Sequence, residues 1–207
     1  MTEKQTSKID GKKVGKLAII LFLISAIAAL LLGLTNYVTK DIIAAQSEKK
    51  NIEARQEVLA DADSFKKVDN IEQVAQTADS ANASIVVEAY SGYKGDQLVG
   101  YTVKTTPKGY GGDVEVLTGI GVDGKVSGVT ILDQSETAGL GARCVEPSFQ
   151  QEYQGKDASK ELSVVKTNPT DNQIQAITGA TITSKAVTKG VNASMKIYSQ
   201  LASGGVK

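Results

Sequence analysis

Residues 17–38 read LAIILFLISAIAALLLGLTNYV, 22 positions without a charge. As a helix rising 1.5 Å per residue, the run spans about 33 Å, close to the hydrocarbon thickness of a bilayer. A cleaved signal peptide has a shorter apolar core with a small-residue cleavage site just after it. Here the run is too long, and Thr35-Asn36-Tyr37-Val38-Thr39-Lys40 offers no such site. An uncleaved signal anchor is expected. In front of it stand Lys4, Lys8, Lys12, Lys13 and Lys16 against Glu3 and Asp10, a net +3. Lysines flanking a span stay in the cytoplasm, which puts residues 41–207 outside it.

The 207 residues then leave room for one domain plus the anchor, or at most two small domains. Beyond Lys40 the chain carries 17 basic and 21 acidic residues. An acidic domain repels phosphate backbones, so nucleic acid is not an expected partner. Cys144 is the only cysteine and there is no histidine. An intramolecular disulfide, a cysteine-held iron–sulfur cluster, Ser-His-Asp or Cys-His catalysis and histidine-ligated metal or haem are thereby excluded. Redox or group-transfer chemistry must come from an organic cofactor or from a partner. Cys144 itself reads as an inert small residue.

No Gly or Pro occurs between Gly33 and Gly92. Residues 40–60 are rich in good helix formers, so the anchor helix is expected to continue as a stalk to about Ala60, with a short helix around 71–77. The segments 84–90, 97–105, 113–122 and 125–132 are β-branched and bounded by glycine, hence strands. Asp123-Gly124 suits a two-residue hairpin turn with φ > 0 at both positions. Residues 147–154 read as a short helix opened by Pro147. From Thr183 a terminal helix places Ala186, Val187, Val191, Ser194, Tyr198 and Leu201 on one face. The expected organisation is a basic tail (1–16), a transmembrane anchor (17–38), a helical stalk and connector (39–83), and an α+β domain (84–207) with an antiparallel sheet and a terminal helix packed on it.

Chemistry concentrates in ITGATITS, residues 177–184. Small residues precede a hydroxyl-rich turn that opens the terminal helix. A helix start offers unpaired N–H groups and partial positive charge, both suited to a phosphate. Thr183 would stand there with its hydroxyl toward the anion, although Thr181 or Thr183 could instead serve only as the helix N-cap. A second feature is the loop Glu136-Thr137-Ala138-Gly139-Leu140-Gly141, whose glycines let backbone amides face a planar ligand. Glu136 is expected either to position that loop or to hydrogen-bond near the ligand. Tyr110, within GYGG, is the candidate for aromatic stacking.

Thr178-Gly179-Ala180-Thr181-Ile182-Thr183 resembles the [S/T]GA[S/T]xT signature of covalent-FMN domains. The segment 109–141 is similar to one shared by the G subunit of Rnf ferredoxin–NAD oxidoreductase complexes and the C subunit of sodium-pumping NADH–quinone reductases. One anchor and one flavin domain in so short a chain look more like the Rnf G subunit. The resemblance implies FMN joined to Thr183 by a phosphoester, with Thr178, Gly179, Ala180 and Thr181 around the attachment and the loop Glu136 to Gly141 against the flavin. It also implies attachment by a separate Mg-dependent flavin transferase that uses FAD, and other Rnf subunits (membrane and iron–sulfur/flavin subunits) as partners in the cell membrane. Three positions depart from the family pattern: Ala138 where proline is common, Thr178 where serine is usual, and Gln175 where the transferase motif often has aspartate.

Threonine is a poor nucleophile and needs a base. No constellation to supply one is visible in the sequence, so attachment by the chain alone is not expected. Covalent attachment has a physical rationale. With a nanomolar Kd and an on-rate near 10⁶ M⁻¹s⁻¹, bound FMN would leave at roughly 10⁻³ s⁻¹ and be diluted away outside the cytoplasm. No substrate pocket with an acid–base pair is evident, so the expected role is an electron relay. The alternatives are a C subunit of a sodium-pumping quinone reductase or another extracytoplasmic flavin carrier and, in a different class, a cofactor-free anchored binding module.

Overall fold

The computed structural model describes residues 11–204; Lys4, Lys8 and the end of the SGGVK tail lie outside that range. The chain forms two units, Met1–Lys49 and Lys50–Lys207. Helix α1 (Gly11–Val58) supplies all the described structure of the first. Its most apolar stretch has a mean hydropathy of 3.0 and buries nothing inside the protein, as expected of a helix that packs against lipid. The Thr35 and Thr39 hydroxyls donate to carbonyls one turn back, at 2.8 and 2.9 Å, so neither polar group is left unpaired along the helix.

The second unit is built on a five-stranded antiparallel sheet in simple meander order. Its strands are β1 (Ser64–Lys67), β2 (Val86–Lys94), β3 (Gln97–Thr105), β4 (Val114–Gly121) and β5 (Val126–Gln134). Four of them are the expected β-branched segments, and β-branched residues alternate between faces as the pleat requires. Against one face pack α2 (Ile71–Asp79) and the terminal helix α4 (Thr181–Ala202). Val74, Ala75, Ala89, Val103 and Ile197 close one part of that interface. Val114, Val116, Ile120, Val126, Val187, Val191 and Met195 close the rest, together with Phe149 and Tyr153 from the turn of helix α3 (Pro147–Gln150) and the 3-10 turn after it. A short parallel pair, β6 (Ser163–Val165) and β7 (Gln173–Gln175), leads into α4.

On the opposite face sits the end of α1, within the second unit. Ala54 and Val58 pack on Leu117, and Ser127 donates to the Val58 carbonyl at 2.5 Å. Arg55 is buried, pairs with Glu88 at 3.3 Å and lies 3.7 Å over the Tyr90 ring. Edge strand β1 and helix α2 fall N-terminal to residue 84, where the sequence suggested the sheet would begin.

The β4–β5 turn differs from expectation. Only Gly124 has positive φ, at 76°, and Gly124 N–H donates to Gly121 O while Gly121 N–H donates to Lys125 O. The connection is a longer loop ending in a left-handed glycine, not a two-residue turn with both positions left-handed. Asp123 keeps an ordinary backbone and uses its carboxylate to accept the Lys125 N–H.

Candidate functional site

The exit of β5 and the start of α4 meet in one place. Residues 177–180 form a tight turn closed by Ala180 N–H donating to Ile177 O at 2.8 Å. Gly179 occupies its third position at φ 79°, a conformation that side chains avoid. Ser184 pins the turn from inside the helix: its hydroxyl accepts the Ile177 N–H and donates to Ala180 O, each at 3.0 Å. Sequence reading gave Ser184 no part, and a lone serine one turn into a helix carries no signal that could have done so.

Helix α4 begins at Thr181, two residues earlier than expected, with Ala180 as its N-cap and no side-chain cap. Neither Thr181 nor Thr183 caps the helix. The first ladder bond runs from Ser184 N–H to Ala180 O, which leaves the amides of Thr181, Ile182 and Thr183 outside the helical ladder.

Thr183 is 1% exposed, and its hydroxyl donates to Glu136 Oε2 at 2.5 Å. Glu136 itself is 9% exposed. Its other oxygen, Oε1, accepts the amides of Tyr110 and Gly111 at 2.8 and 2.9 Å. A buried carboxylate needs such donors, because burial without them costs several kcal/mol. The close fit explains the flanking glycines. A β-carbon at Gly109 would strike Glu136 Oε1, and one at Gly141 would strike both Glu136 Oε2 and Thr183 Oγ1. Gly139 differs: it takes φ 76° with open space around it, so it serves the turn and not a close approach.

These groups line a cavity of about 600 Å³ formed by Tyr110, Glu136, Thr137, Leu140, Gly141 and residues 179–183. Of the residues singled out in the sequence, Thr178 and Gly139 do not line it, and Ile182 does although it was not singled out. Ile182, Leu140 and Tyr110 are exposed at its mouth, the tyrosine by 72%. Among the described residues no Lys or Arg lines the cavity, so the amides of α4 outside its ladder and the neighbouring hydroxyls are what it offers an anion. Depressions of similar volume lie beside α2 and beside the β4–β5 turn, but neither is lined by a buried carboxylate. Cys144 lies buried nearby. Its burial, and then the charge of Glu136, push its thiol up to about 11.

Comparison with known proteins identifies the setting. Residues 109–196 match the FMN-binding domain, and residues 1–58 match the RnfG N-terminal region. The chain is 47% identical to the G subunit of the Na(+)-translocating ferredoxin:NAD(+) oxidoreductase complex of Acetobacterium woodii, covering 98% of this chain and all of that one. The chain belongs to the Rnf G-subunit family. The G subunit of the proton-translocating ferredoxin:NAD(+) oxidoreductase complex of Clostridium ljungdahlii is 35% identical over 80% of both chains. Among solved structures, NqrC of Shewanella oneidensis superposes with a TM-score of 0.56 at 17% identity, over 75% of this chain and 99% of that one. The C subunit of the Na(+)-translocating NADH-quinone reductase of Parabacteroides distasonis gives 0.55 at 20%, over 76% and 94%. At such identities the likeness establishes the α+β fold and nothing finer. For a G-subunit family member, the apolar α1 is a membrane anchor.

Proposed function

We propose that this chain is the flavin-carrying subunit of an ion-translocating ferredoxin:NAD oxidoreductase complex, with FMN joined by a phosphoester to Thr183. The observation that carries the attachment site is the buried Thr183 hydroxyl at the base of a cavity that suits a flavin in size and lining. At about 600 Å³ the cavity lies within the usual range for cofactor sites. Its mouth is apolar and aromatic at Tyr110, Leu140 and Ile182, as an isoalloxazine ring needs, while the unpaired amides at the start of α4 suit a phosphate.

In this reading Thr183 holds the phosphate. Thr178, Gly179, Ala180 and Thr181 shape the turn around it. The loop carrying Thr137, Gly139, Leu140 and Gly141 borders the ring with Tyr110. Bound there, FMN supplies one- and two-electron transfer. The chain's own residues bind and orient it and keep it from diffusing away. Maturation requires a separate flavin transferase, and function requires the other members of the complex. The chain crosses the membrane once, with a cytoplasmic tail at 1–16, an anchor at 17–38, a stalk at 39–83 and the FMN-binding domain at 84–207 on the far side. The names of the relatives support the complex, and the match over 109–196 supports the cofactor. The quinone-reductase proteins share only the fold, so the alternative machine has less behind it.

Peptide mass mapping of the full chain, co-expressed with a flavin transferase, tests the attachment. FMN mass on the peptide containing Thr183 is the expected result, and FMN on Thr181 or Ser184 would shift the register. Thr183→Ala should insert, fold and carry no covalent flavin. Because Thr183 is buried and is a donor to Glu136, the substitution costs about 1–3 kcal/mol, more than an exposed hydroxyl would.

A further inference from the structure

Glu136 stands against the hydroxyl that must become a nucleophile. Thr183 Oγ1 donates its proton to Glu136 Oε2 at 2.5 Å, and both groups are buried. The carboxylate does not turn freely: two backbone amides hold Oε1, which commits Oε2 to the threonine. Gly109 and Gly141 close around the pair where no side chain fits. Among the described residues, none forms an ion pair with Glu136 and no Lys or Arg lines the cavity. A carboxylate next to a phosphate site repels its ligand, so an anion-binding role for Glu136 is a poor explanation of its place. Proton acceptance is a good one.

We propose that Glu136 is the general base of flavin attachment, supplied by the acceptor chain itself. This rests on the reading of Thr183 as the attachment site. Thr183 Oγ1 attacks the phosphorus that bears the riboflavin in flavin adenine dinucleotide. The Oγ1–P bond forms, and the P–O bond to the adenylate breaks. Adenosine monophosphate leaves with the bonding pair, and the Oγ1 proton passes to Glu136 Oε2. No atom changes oxidation state. The transferase brings the dinucleotide and its metal, and the acceptor chain brings both nucleophile and base. Selectivity for Thr183 over Thr178 and Thr181 follows, since of these three threonines, all among the described residues, Thr183 alone donates its hydroxyl to a carboxylate.

The full-length chain in detergent, incubated with a flavin transferase, Mg²⁺ and flavin adenine dinucleotide, provides the test. Covalent flavin is followed by gel fluorescence and intact mass. Glu136→Gln keeps an oxygen for the Tyr110 and Gly111 amides but takes no proton. It should lower kcat for transfer by about 10²–10⁴-fold. The KM for the acceptor chain and the melting temperature should stay near those of wild type, which a merely structural residue would not allow. Transfer to a folded Glu136→Gln chain within threefold of the wild-type rate would overturn the proposal. Should that variant not fold, Glu136→Ala with added formate decides: restored transfer supports the proposal, and no restoration in a folded chain overturns it. If wild type takes up no flavin, or takes it elsewhere than Thr183, the attachment reading itself fails. If wild type is labelled on Thr183 and Glu136→Gln is labelled equally fast, only the role of Glu136 fails.

Discussion

Cys144 lies within reach of Glu136's charge, and its burial and that charge act in the same direction on the thiol. A thiol raised from 9.0 to about 11 stays protonated, and therefore unreactive, at physiological pH. The folded chain should resist iodoacetamide at pH 8 and react only after denaturation, read by mass. Linkage fixes the sign at higher pH. The folded state holds the proton more tightly, so this group's contribution is fully present below pH 9 and is lost as pH rises toward 11. Cys144→Ala should flatten that part of the stability curve. At this scale the sequence was legible where a residue answers to its neighbours along the chain. That small residues come just before a helix start was readable; that Ala180, and neither Thr181 nor Thr183, is its N-cap was not. The pairing of Glu136 with Thr183 was not, because 47 positions separate them and neither spacing nor composition records that the end of β5 meets the start of α4.

Among elements, the four strands β2 to β5 and the terminal helix were readable because periodicity and β-branching mark them whatever their partners. Helix α4 buries Ala186, Val187, Val191 and Ser194 as expected, while Tyr198 and Leu201 are half-buried. Strand β1 was missed: SFKK is short and charged, and only pairing with Tyr90–Tyr93 of β2 makes it a strand. Gly119 in β4 and Gly128 in β5 are where the end of α1 arrives. At Gly119 a β-carbon would collide with the Val58 carbonyl, and at Gly128 one would press on the Val58 backbone. Backbone cannot yield as a flexible side chain can. Gly119→Val should therefore destabilise the second unit by about 1–3 kcal/mol, a fall of roughly 2–10 °C in Tm. Tyr198→Phe, which loses a 3.3 Å bond to Val122 O from a half-buried ring, should have a smaller effect in the same melting experiment.

At the scale of the whole molecule, anchor and domain were legible from charge and hydropathy, but the start of the second unit was not, since helix propensity runs unbroken through residues 40–60. The proposed orientation predicts that a cysteine placed at exposed Lys160 reacts with an impermeant maleimide in intact cells once any outer envelope is permeable. Buried Cys144 should give no background. Labelling only after lysis would reverse the topology. The way the end of α1, β1 and α2 join the sheet also sets where a soluble piece of this protein can be cut. A fragment beginning at residue 84 leaves β2 as a bare edge, takes the lid from Ala89 and Val103, and strands Glu88 without Arg55. Bare edges recruit other chains. Such a fragment should aggregate on purification. One beginning at Lys50, free of the apolar run, should elute as a monomer fit for spectroscopy and crystallisation.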